Sequence, residues 1–244
     1  MSTQLISVVQ WARRFISNMF LFVDGSIEPA LTNANIILGT ILGPPFTWEW
    51  NRNTTSFTCS QTTSTAPNTD YLEAVEDFGF IESGHLLIPS TATAEPGKIY
   101  QLQPRRCIEV TSDSGRPDKI SVCLDDQSGN ITFRLNMSPD ALYTITVTYQ
   151  KAFVPLTQAA SVLPIPDKLL HIFRYGFLAM AFLYNQDKRF TEINQKFVAT
   201  LLGSQQGLDE GEKNIFLGNW YTLLADQSAM GLKVQQGTQA RGSI

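Results

Sequence analysis

The segment LPIPDKLLHIFRYGFLAMAFLYNQDKRF, residues 163–190, decides the fold class of this chain. Pro164 and Pro166 fix its entry, and Pro166 suits a helix start because the first turn needs no amide donor from it. Asp167 places a negative charge at the same helix start, where the helix dipole favours it. Nearly every residue of 169–184 is apolar, so no polar face is left. Such a helix is normally buried on all sides, and we predict a central helix here.

A second helix is predicted after a short turn at 185–187. It is amphipathic, and its inward positions at helical spacing are Phe190, Ile193, Phe197, Thr200 and Leu201. The two helices form a predicted hairpin over 167–202. A membrane span would need about 20 mostly apolar residues. The first arm is interrupted by the charged or polar side chains of Lys168, His171 and Arg174. A buried core helix is therefore favoured over a membrane span. The test is the burial of Phe173, Phe177, Met180 and Leu183.

The N-terminal part, 1–45, is predicted to add two helices. The first is amphipathic, with Ser2 or Thr3 as its cap. Its apolar face consists of Leu5, Val8, Ala12, Phe15, Ile16 and Met19. The second begins near Glu28–Pro29 and ends at the prolines of 43–45, which cannot continue a helix. Its apolar residues are Leu31, Ile36, Ile37 and Leu42.

The hydrophobic period changes over 46–150, where short strands alternate with turn clusters. Strands are predicted at 46–50, 54–59, 80–89, 98–102, 107–111, 120–124, 131–135 and 141–149, while 71–80 is compatible with a strand or a helical turn. Turn residues cluster at 112–118 and 125–130. This arrangement favours an antiparallel sandwich or barrel over a parallel sheet. In the last strand, the residues expected to face the core are Tyr143, Ile145, Val147 and Tyr149.

A further helix is predicted from Asp209–Glu210 onward. Its apolar face consists of Ile215, Phe216, Trp220, Leu223 and Leu224. Residues 227–244 have too few apolar side chains to build a core, so we predict an extended arm there. The predicted fold class is therefore α+β. A helical subdomain formed by 1–45 and 163–226 is interrupted by the antiparallel β domain of 46–150.

The sequence contains no catalytic, cofactor or metal signature, and we predict that the protein is not an enzyme. His85 lies in a predicted turn and His171 in the predicted buried helix, so both are interpreted as structural. Asp125–Asp126 lacks the ligand spacing of a calcium loop. The three cysteines of the chain suggest neither a metal site nor a disulfide framework. With no export signal recognised, we expect free thiols in a reducing cell interior.

The net charge and the tryptophan residues limit the possible functions further. A net charge of -4 and a pI near 5.2 argue against general affinity for nucleic acid. Trp48 and Trp50 are one pleat repeat apart, so they share a face in a strand. They are compatible with a sugar-binding platform, although packing in the core is favoured.

The order of elements resembles the head-to-tail adaptor (connector) proteins of tailed bacteriophages, the group called tail tubular protein A in podoviruses. A strand closing with Tyr-Gln-Lys at 149–151 is followed by the proline-bearing linker and by the helix Tyr-Gly-Phe-Leu-Ala-Met-Ala-Phe-Leu-Tyr at 175–184. Asp-Lys-Arg-Phe at 187–190 leads into the next helix, and Gly-Lys-Ile-Tyr at 97–100 also fits the layout. The tail beyond 226 is longer than the layout of that family.

The resemblance implies a structural virion protein of the phage neck, assembled in the host cytoplasm. Such adaptors form an oligomeric ring, typically a dodecamer, that joins the portal protein to a tail tube or nozzle protein. The ring lines the channel through which genomic DNA passes without sequence-specific binding. The resemblance implies no cofactor and no membrane.

The predicted partner interface lies in the C-terminal region. Its candidate residues are Trp220, Gln227, Lys233, Gln235, Gln236, Arg241 and Ile244. The arm would dock on the portal or on a neighbouring subunit, and both possibilities stay open. The alternative function is a β-sandwich binding module of a phage or cell surface, which recognises a glycan or receptor through Trp48 and Trp50.

Overall fold

A computed structural model describes residues 3–16, 27–60, 69–90, 92, 95–106, 108–124, 130–205 and 207–239, with side chains up to Asp226 except that of Leu124. The predictions made for Ser2, Met19, Cys107 and Asp125–Asp126 lie outside these residues. The chain divides into two compact units. The helical unit comprises 1–46 and 153–244, and the sheet unit comprises 47–152. The α+β class is confirmed.

The helical unit contains the predicted hairpin. Its helices are α1 (Leu5–Ala12), α2 (Ala30–Leu42), α3 (Leu170–Tyr184), α4 (Phe190–Gly203) and α5 (Glu210–Gln239), and a short 3-10 turn at Asp167–Leu169 precedes α3. α3 packs against each of the other four helices. No described helix combines the length and the apolar content that crossing a membrane requires.

The middle of α3 is buried as predicted. Phe173, Phe177 and Met180 are buried, and Leu183 is half-buried. The prediction that the helix is buried on all sides is wrong at its two ends, because His171 in the first turn and Tyr184 in the last turn are exposed. A polar imidazole at the end of a helix keeps its hydration there and leaves the apolar middle turns to form the core.

Gly176 allows α2 and α4 to approach α3 closely. A Cβ atom at this position would lie 2.8 Å from Cε2 of Phe197 on α4 and 2.9 Å from Cγ2 of Ile37 on α2. Such contacts are too short for carbon atoms, so any side chain at this point would push the helices apart. The glycine in the middle of an apolar helix is therefore a packing requirement of the three-helix contact.

The N-terminus differs from the prediction. α1 ends at Ala12, and Phe15, which was expected on its apolar face, is exposed. The helix has no side-chain cap. Instead, the amides of Leu5 and Ile6 donate to the carbonyls of Ser161 and Ala159 at 3.0 Å each. The linker that returns from the sheet unit thus satisfies the free amides of the first turn, a long-range contact that local sequence does not reveal.

The same linker is held by α2. The side-chain amide of Asn35 donates to the carbonyl of Leu156 at 3.0 Å, and its Oδ1 accepts from the amide of Leu156 at 2.8 Å. The hydroxyl of Thr3 donates to Asp167 at 2.9 Å, which ties the N-terminus to the start of α3. The linker is therefore part of the packed helical unit.

The sheet unit is a nearly closed, antiparallel-rich barrel. Its strands are β1 (Arg52–Cys59), β2 (Asp70–Ala74), β3 (Phe78–Leu87), β4 (Ile99–Pro104), β5 (Ser114–Gly115), β6 (Lys119–Leu124), β7 (Asn130–Leu135), β8 (Ser138–Pro139) and β9 (Tyr143–Lys151). Seven of them form one sheet in the order β1-β9-β3-β4-β6-β7-β2, and β5 pairs separately with β8. The pairs β4–β6 and β5–β8 are parallel, and the other pairs are antiparallel.

The two edge strands of the sheet come together around an aromatic cluster. Phe57 on β1 stacks on Tyr71 of β2, with ring centroids 5.4 Å apart, and on Phe133 of β7 at 5.3 Å. The predicted inward row of β9 is confirmed, because Tyr143, Ile145, Val147 and Tyr149 are all buried. Aromatic contacts between the edges bring the ends of the sheet together and leave one continuous core.

Two predicted strands are wrong. Residues 46–50 do not form a strand, because a 3-10 turn begins at Glu49. The buried side chain of Gln150 binds the backbone of Trp48 on both sides, accepting from its amide at 3.1 Å and donating to its carbonyl at 3.2 Å. Residues 108–111 are also irregular, although the amide of Thr111 bonds the carbonyl of Asn136 at 2.9 Å. In both segments, contacts with distant parts of the chain replace a regular strand ladder.

Both tyrosines of the β9 inner row donate their hydroxyls to aspartates. Tyr143 bonds Oδ1 of Asp140 at 2.5 Å, and Tyr149 bonds Oδ1 of Asp77 at 2.6 Å. Burial, followed by the bond to Asp77, raises the pKa of Tyr149 to about 12. The bond from Tyr149 in turn lowers the pKa of Asp77 below its ordinary value of 3.8. Each end of the row is thereby closed by a hydrogen bond to a carboxylate.

We predict that Gly176→Ala destabilises the protein by about 1–3 kcal/mol, because the new methyl group overpacks the contact with Phe197 and Ile37. The matched control is Gly218→Ala in α5, where a Cβ atom meets no atom within 4 Å. That change should stabilise the chain by about 0.5–1 kcal/mol through helix propensity. Urea denaturation of both variants gives the free energies of unfolding, and equal effects would contradict the packing argument.

We predict that Tyr149→Phe lowers the free energy of unfolding at pH 7 by about 1 kcal/mol, since the hydrogen bond to a charged but half-exposed carboxylate is lost. The lowered pKa of Asp77 contributes stability that is present above pH 3.8 and is lost as the pH falls through the folded-state pKa. The difference from the wild type should therefore shrink in acid. Tyr221→Phe at an exposed site is the control and should show no pH-dependent difference.

Candidate functional site

α5 begins with a reciprocal capping box. Oδ1 of Asp209 accepts from the amide of Glu212 at 2.7 Å, and Oε2 of Glu212 accepts from the amide of Asp209 at 3.1 Å. An ion pair of 2.7 Å between Glu210 and Lys213 follows in the first turn. Two of the free amides at the helix start are thus satisfied locally. The start of this helix is the one that the sequence predicts.

The inner face of α5 is fastened by Trp220. This residue is only 2% exposed, and its Nε1 donates to Oδ1 of Asn194 on α4 at 2.9 Å. Its ring lies 5.1 Å from that of Phe197, and one turn earlier the ring of Phe216 meets Phe46 edge-on at 4.8 Å. Trp220, predicted as a partner-interface residue, therefore lies inside the subunit, where it holds α5 in place.

The outer face of α5 has no charged residue between Lys213 and Asp226. Ile215 and Tyr221 are 52% and 55% exposed, so the prediction that Ile215 lies on the inner face is wrong. The other exposed residues of this face are Asn214, Gly218, Asn219, Thr222 and Ala225. We call these seven residues the α5 outer face. Helical periodicity in the sequence could have identified the α5 outer face. Successive residues are about 100° apart around a helix, so Ile215 cannot share the direction of buried Phe216.

The remaining predicted interface residues lie further along the chain. Four of them lie in the part of α5 of which only the backbone is described, namely Gln227, Lys233, Gln235 and Gln236. Arg241 and Ile244 lie outside the described residues. The predicted extended arm over 227–244 is thus helical as far as Gln239. Propagating an existing helix costs much less than nucleating one, and Gln, Lys, Leu and Met are good helix formers. The helix continues about 20 Å beyond Asp226 at 1.5 Å per residue.

The sheet unit offers an open cavity of about 420 Å³ lined by Arg105, Ile108, Glu109, Thr111, Lys119 and Asn136. The amide of Asn136 is already used, because its Oδ1 accepts from the amides of Asp118 and Lys119 at 3.2 and 3.1 Å. Its Nδ2 donates to Asp118 at 2.7 Å. This buried side chain holds the loop before β6, so the polar group at the base of the cavity has a structural role.

Residues that the sequence marks for chemistry are dispersed. His85 and His171 are both exposed and belong to different units. The prediction that His85 lies in a turn is wrong, because it lies in β3 opposite Gln101 and Thr146. The described part of the chain contains no group of three or more metal-binding side chains. Cys59 and Cys123 have free thiols, and burial raises the pKa of the Cys59 thiol to about 12.

The tryptophan pair does not form a sugar platform. Trp48 is 5% exposed, and its ring lies 5.8 Å from that of Trp50, which is half-buried. A platform needs the open face of an aromatic ring, and Trp48 offers none. The interpretation of the pair as core packing is therefore confirmed for Trp48.

A family model described as SU10 adaptor protein matches residues 35–214. The chain belongs to the SU10 adaptor protein family. The match runs from α2 through the sheet unit and the α3–α4 hairpin into the first turns of α5. No curated protein matches the chain.

Membership of the SU10 adaptor family confirms the resemblance to phage head-to-tail adaptors, although not to the podovirus tail tubular group in particular. The family is one of structural adaptors, so the chain is identified as a structural component of the phage virion. The family implies portal and tail proteins as partners. The functional sites of this adaptor are accordingly expected on its surfaces, and the α5 outer face is the first candidate.

We predict that Trp220→Phe destabilises this adaptor by about 2 kcal/mol or more, because Oδ1 of buried Asn194 loses its donor and the smaller ring leaves a void. Tyr221→Phe, one residue further on the exposed side, should change the free energy of unfolding by less than about 0.5 kcal/mol. Chemical denaturation monitored by far-UV circular dichroism measures both. A wild-type stability of Trp220→Phe would contradict the role assigned to this indole.

Proposed function

We propose that this adaptor forms an oligomeric ring, a dodecamer, that joins the portal to the tail and surrounds the channel for the genomic DNA. The observation that carries the proposal is the α5 outer face. It combines exposed apolar and aromatic side chains with an absence of charge over about three helical turns. Interface centres are depleted of charge, and the α5 outer face shares this property.

The way α5 is anchored supports the same proposal. The capping box and the buried Trp220 hold the first half of the helix on the subunit. The second half, from Gln227, has no buried apolar anchor predicted by its sequence. A helix fixed at one end can present its other end to a partner without first paying the full entropy of ordering. We propose that 227–244 is the arm by which the ring docks.

Charge also suits a DNA channel. The chain carries a net charge of -4, and an acidic surface repels the phosphate backbone. DNA can then pass without binding to the wall. Each subunit of a closed ring uses two different surfaces for its two neighbours, because ring contacts are heterologous. The adaptor must therefore carry at least one contact surface in addition to its docking arm.

We expect native mass spectrometry of the purified adaptor, alone and with the portal protein, to show a closed ring. Cryo-electron microscopy of the virion gives its copy number in the neck. A single copy in the particle, or a chain that stays monomeric with the portal present, would refute the ring.

We predict that deleting 227–244 leaves a folded subunit but abolishes docking of the ring. Residues up to Asp226 keep the anchors Phe216, Trp220 and Leu224, so the melting temperature should change little. Rings that form but no longer bind the portal would assign the arm to the portal. Loss of the ring itself would assign it to a neighbouring subunit. Normal particle assembly by the truncated adaptor would refute the arm.

A further inference from the structure

One half of the barrel presents a broad outer surface without charge. Inward and outward side chains alternate along each strand, so the buried row of β9 leaves Thr144, Thr146 and Thr148 pointing outward. The strand register places Thr58 and Leu87 beside Thr144, and Ser56 and His85 beside Thr146. The row continues onto β4 with Ile99 and Gln101. We call this surface the neutral face, and it consists of Thr54, Ser56, Thr58, His85, Leu87, Ile99, Gln101, Gln103, Thr144, Thr146 and Thr148.

None of the residues of the neutral face is Asp, Glu, Lys or Arg. The side chains are hydroxyls and amides with one imidazole and two aliphatic groups, and they are exposed or half-exposed. Ser56 and Thr146 bond each other across the strands at 2.9 Å. A sheet face that stays in water usually carries Lys and Glu, which keep strands soluble and prevent association. Charged groups are absent from these eleven positions on four adjacent strands, and the ion pair of Arg52 and Glu82 borders the face at one end. This is the composition of a surface that meets another protein.

An aliphatic pair lies at one end of the neutral face. Leu87 and Ile99 are directly opposite each other in the register of β3 and β4. They are 37% and 64% exposed. An apolar spot beside neutral polar groups that can still form hydrogen bonds is the usual anatomy of a protein interface.

The other half of the sheet differs. Ser121 on β6 and Thr132 on β7 occupy outward positions in the alternation, yet both are buried. Part of the outer surface of β6 and β7 is therefore buried, although the Arg134 side chain is 36% exposed, whereas the outward residues of β1, β9, β3 and β4 named above are all exposed or half-exposed. The contrast shows that the exposure of the neutral face is particular to this half of the barrel.

We propose that the neutral face is a contact surface for a second copy of this chain in the ring. The inference rests on the proposed function and names a surface that mediates it. Charge favours a second copy as the occupant. Every copy carries a net charge of -4, so neighbours repel one another at a distance. A surface without acidic groups allows direct contact between such subunits without local repulsion, and the neutral face is such a surface.

The area of the neutral face agrees with a contact that is weak between two subunits and becomes stable only in a closed ring. Four strands about 4.8 Å apart and about five residues long give a face of roughly 300 Å² in plan. A stable interface buries about 800 Å² on each partner. The neutral face therefore forms the centre of a contact to which neighbouring loops add area. A single contact is weak, and a closed ring gives each subunit two contacts.

The test introduces one charge into the neutral face. Gln101 is exposed in the middle of β4, so Gln101→Lys and Gln101→Glu change charge without changing the core. Thr146→Lys tests the central strand in the same way. The control is Ala74→Lys, which adds the same charge at an exposed position on β2, outside the neutral face. Thermal unfolding of each variant reports whether the subunit is folded.

We expect both signs of charge at Gln101 to weaken self-association by about tenfold or more, because either charge would be buried without a partner. The Ala74→Lys variant should assemble like the wild type. Sedimentation velocity over a concentration series, with native mass spectrometry in the presence of the portal protein, measures both quantities. Weakened assembly of folded variants of both signs, with a normal control, supports the proposal.

The contrary outcomes are distinct. Wild-type rings from all the neutral-face variants would overturn this inference and leave the ring proposal standing. Weakening by one sign of charge and strengthening by the other would show that the facing surface carries charge, which would overturn the uncharged contact inferred here. Normal rings that fail to enter particles would assign the face to a different virion protein. A wild-type chain that is monomeric in solution and in particles would overturn both the ring and this contact.

Discussion

The helical unit depends on the close packing of α3 against α2 and α4 at Gly176. Because this residue has no side chain, Ile37 and Phe197 reach the backbone of α3, and the middle of the helix becomes the centre of the core. The other helices of the unit all pack against α3. Trp220 extends the same core to α5 through Asn194 and Phe197. Through one layer of side chains, the apolar middle of α3 thus positions α5, the helix that carries the candidate partner surface.

The sheet unit is stabilised by a different principle. Its core is the inner face of a nearly closed sheet, in which Phe57 joins the two edges and β9 contributes a fully buried inward row. Polar groups complete the unit where regular pairing stops. Gln150 replaces a strand ladder beside Trp48, and Asn136 holds the loop before β6. Such buried amides direct irregular segments because an unsatisfied polar group in the core is costly. The irregular loops of this unit are therefore as specific as its strands.

An adaptor performs its function through contact surfaces, so its functional residues are recognised by exposure and charge and not by a catalytic motif. Among its described residues, the structure contains no group of three or more metal-binding side chains. It shows instead two neutral surfaces on a chain that is otherwise acidic, one on α5 and one on the sheet unit. Charge depletion is a weaker signal than a catalytic motif, because it becomes visible only when residues distant in sequence are placed side by side. Thr58, Leu87, Ile99 and Thr144 are neighbours through strand register alone.

The sequence by itself determined the helical hairpin, the change to a β region, the inner row of β9 and the resemblance to phage adaptors. These features rest on local periodicity, and a period of 3.6 or 2 is written directly in consecutive residues. Tertiary structure alone decided that Trp220 fastens α5 to Asn194 and Phe197, that 46–50 turns away from the sheet, that linker carbonyls cap α1 and that four strands share a neutral outer face. Each of these depends on contacts between residues far apart along the chain. The energy of such contacts is absent from any local window of sequence, and it outweighs the small local preferences wherever the two disagree.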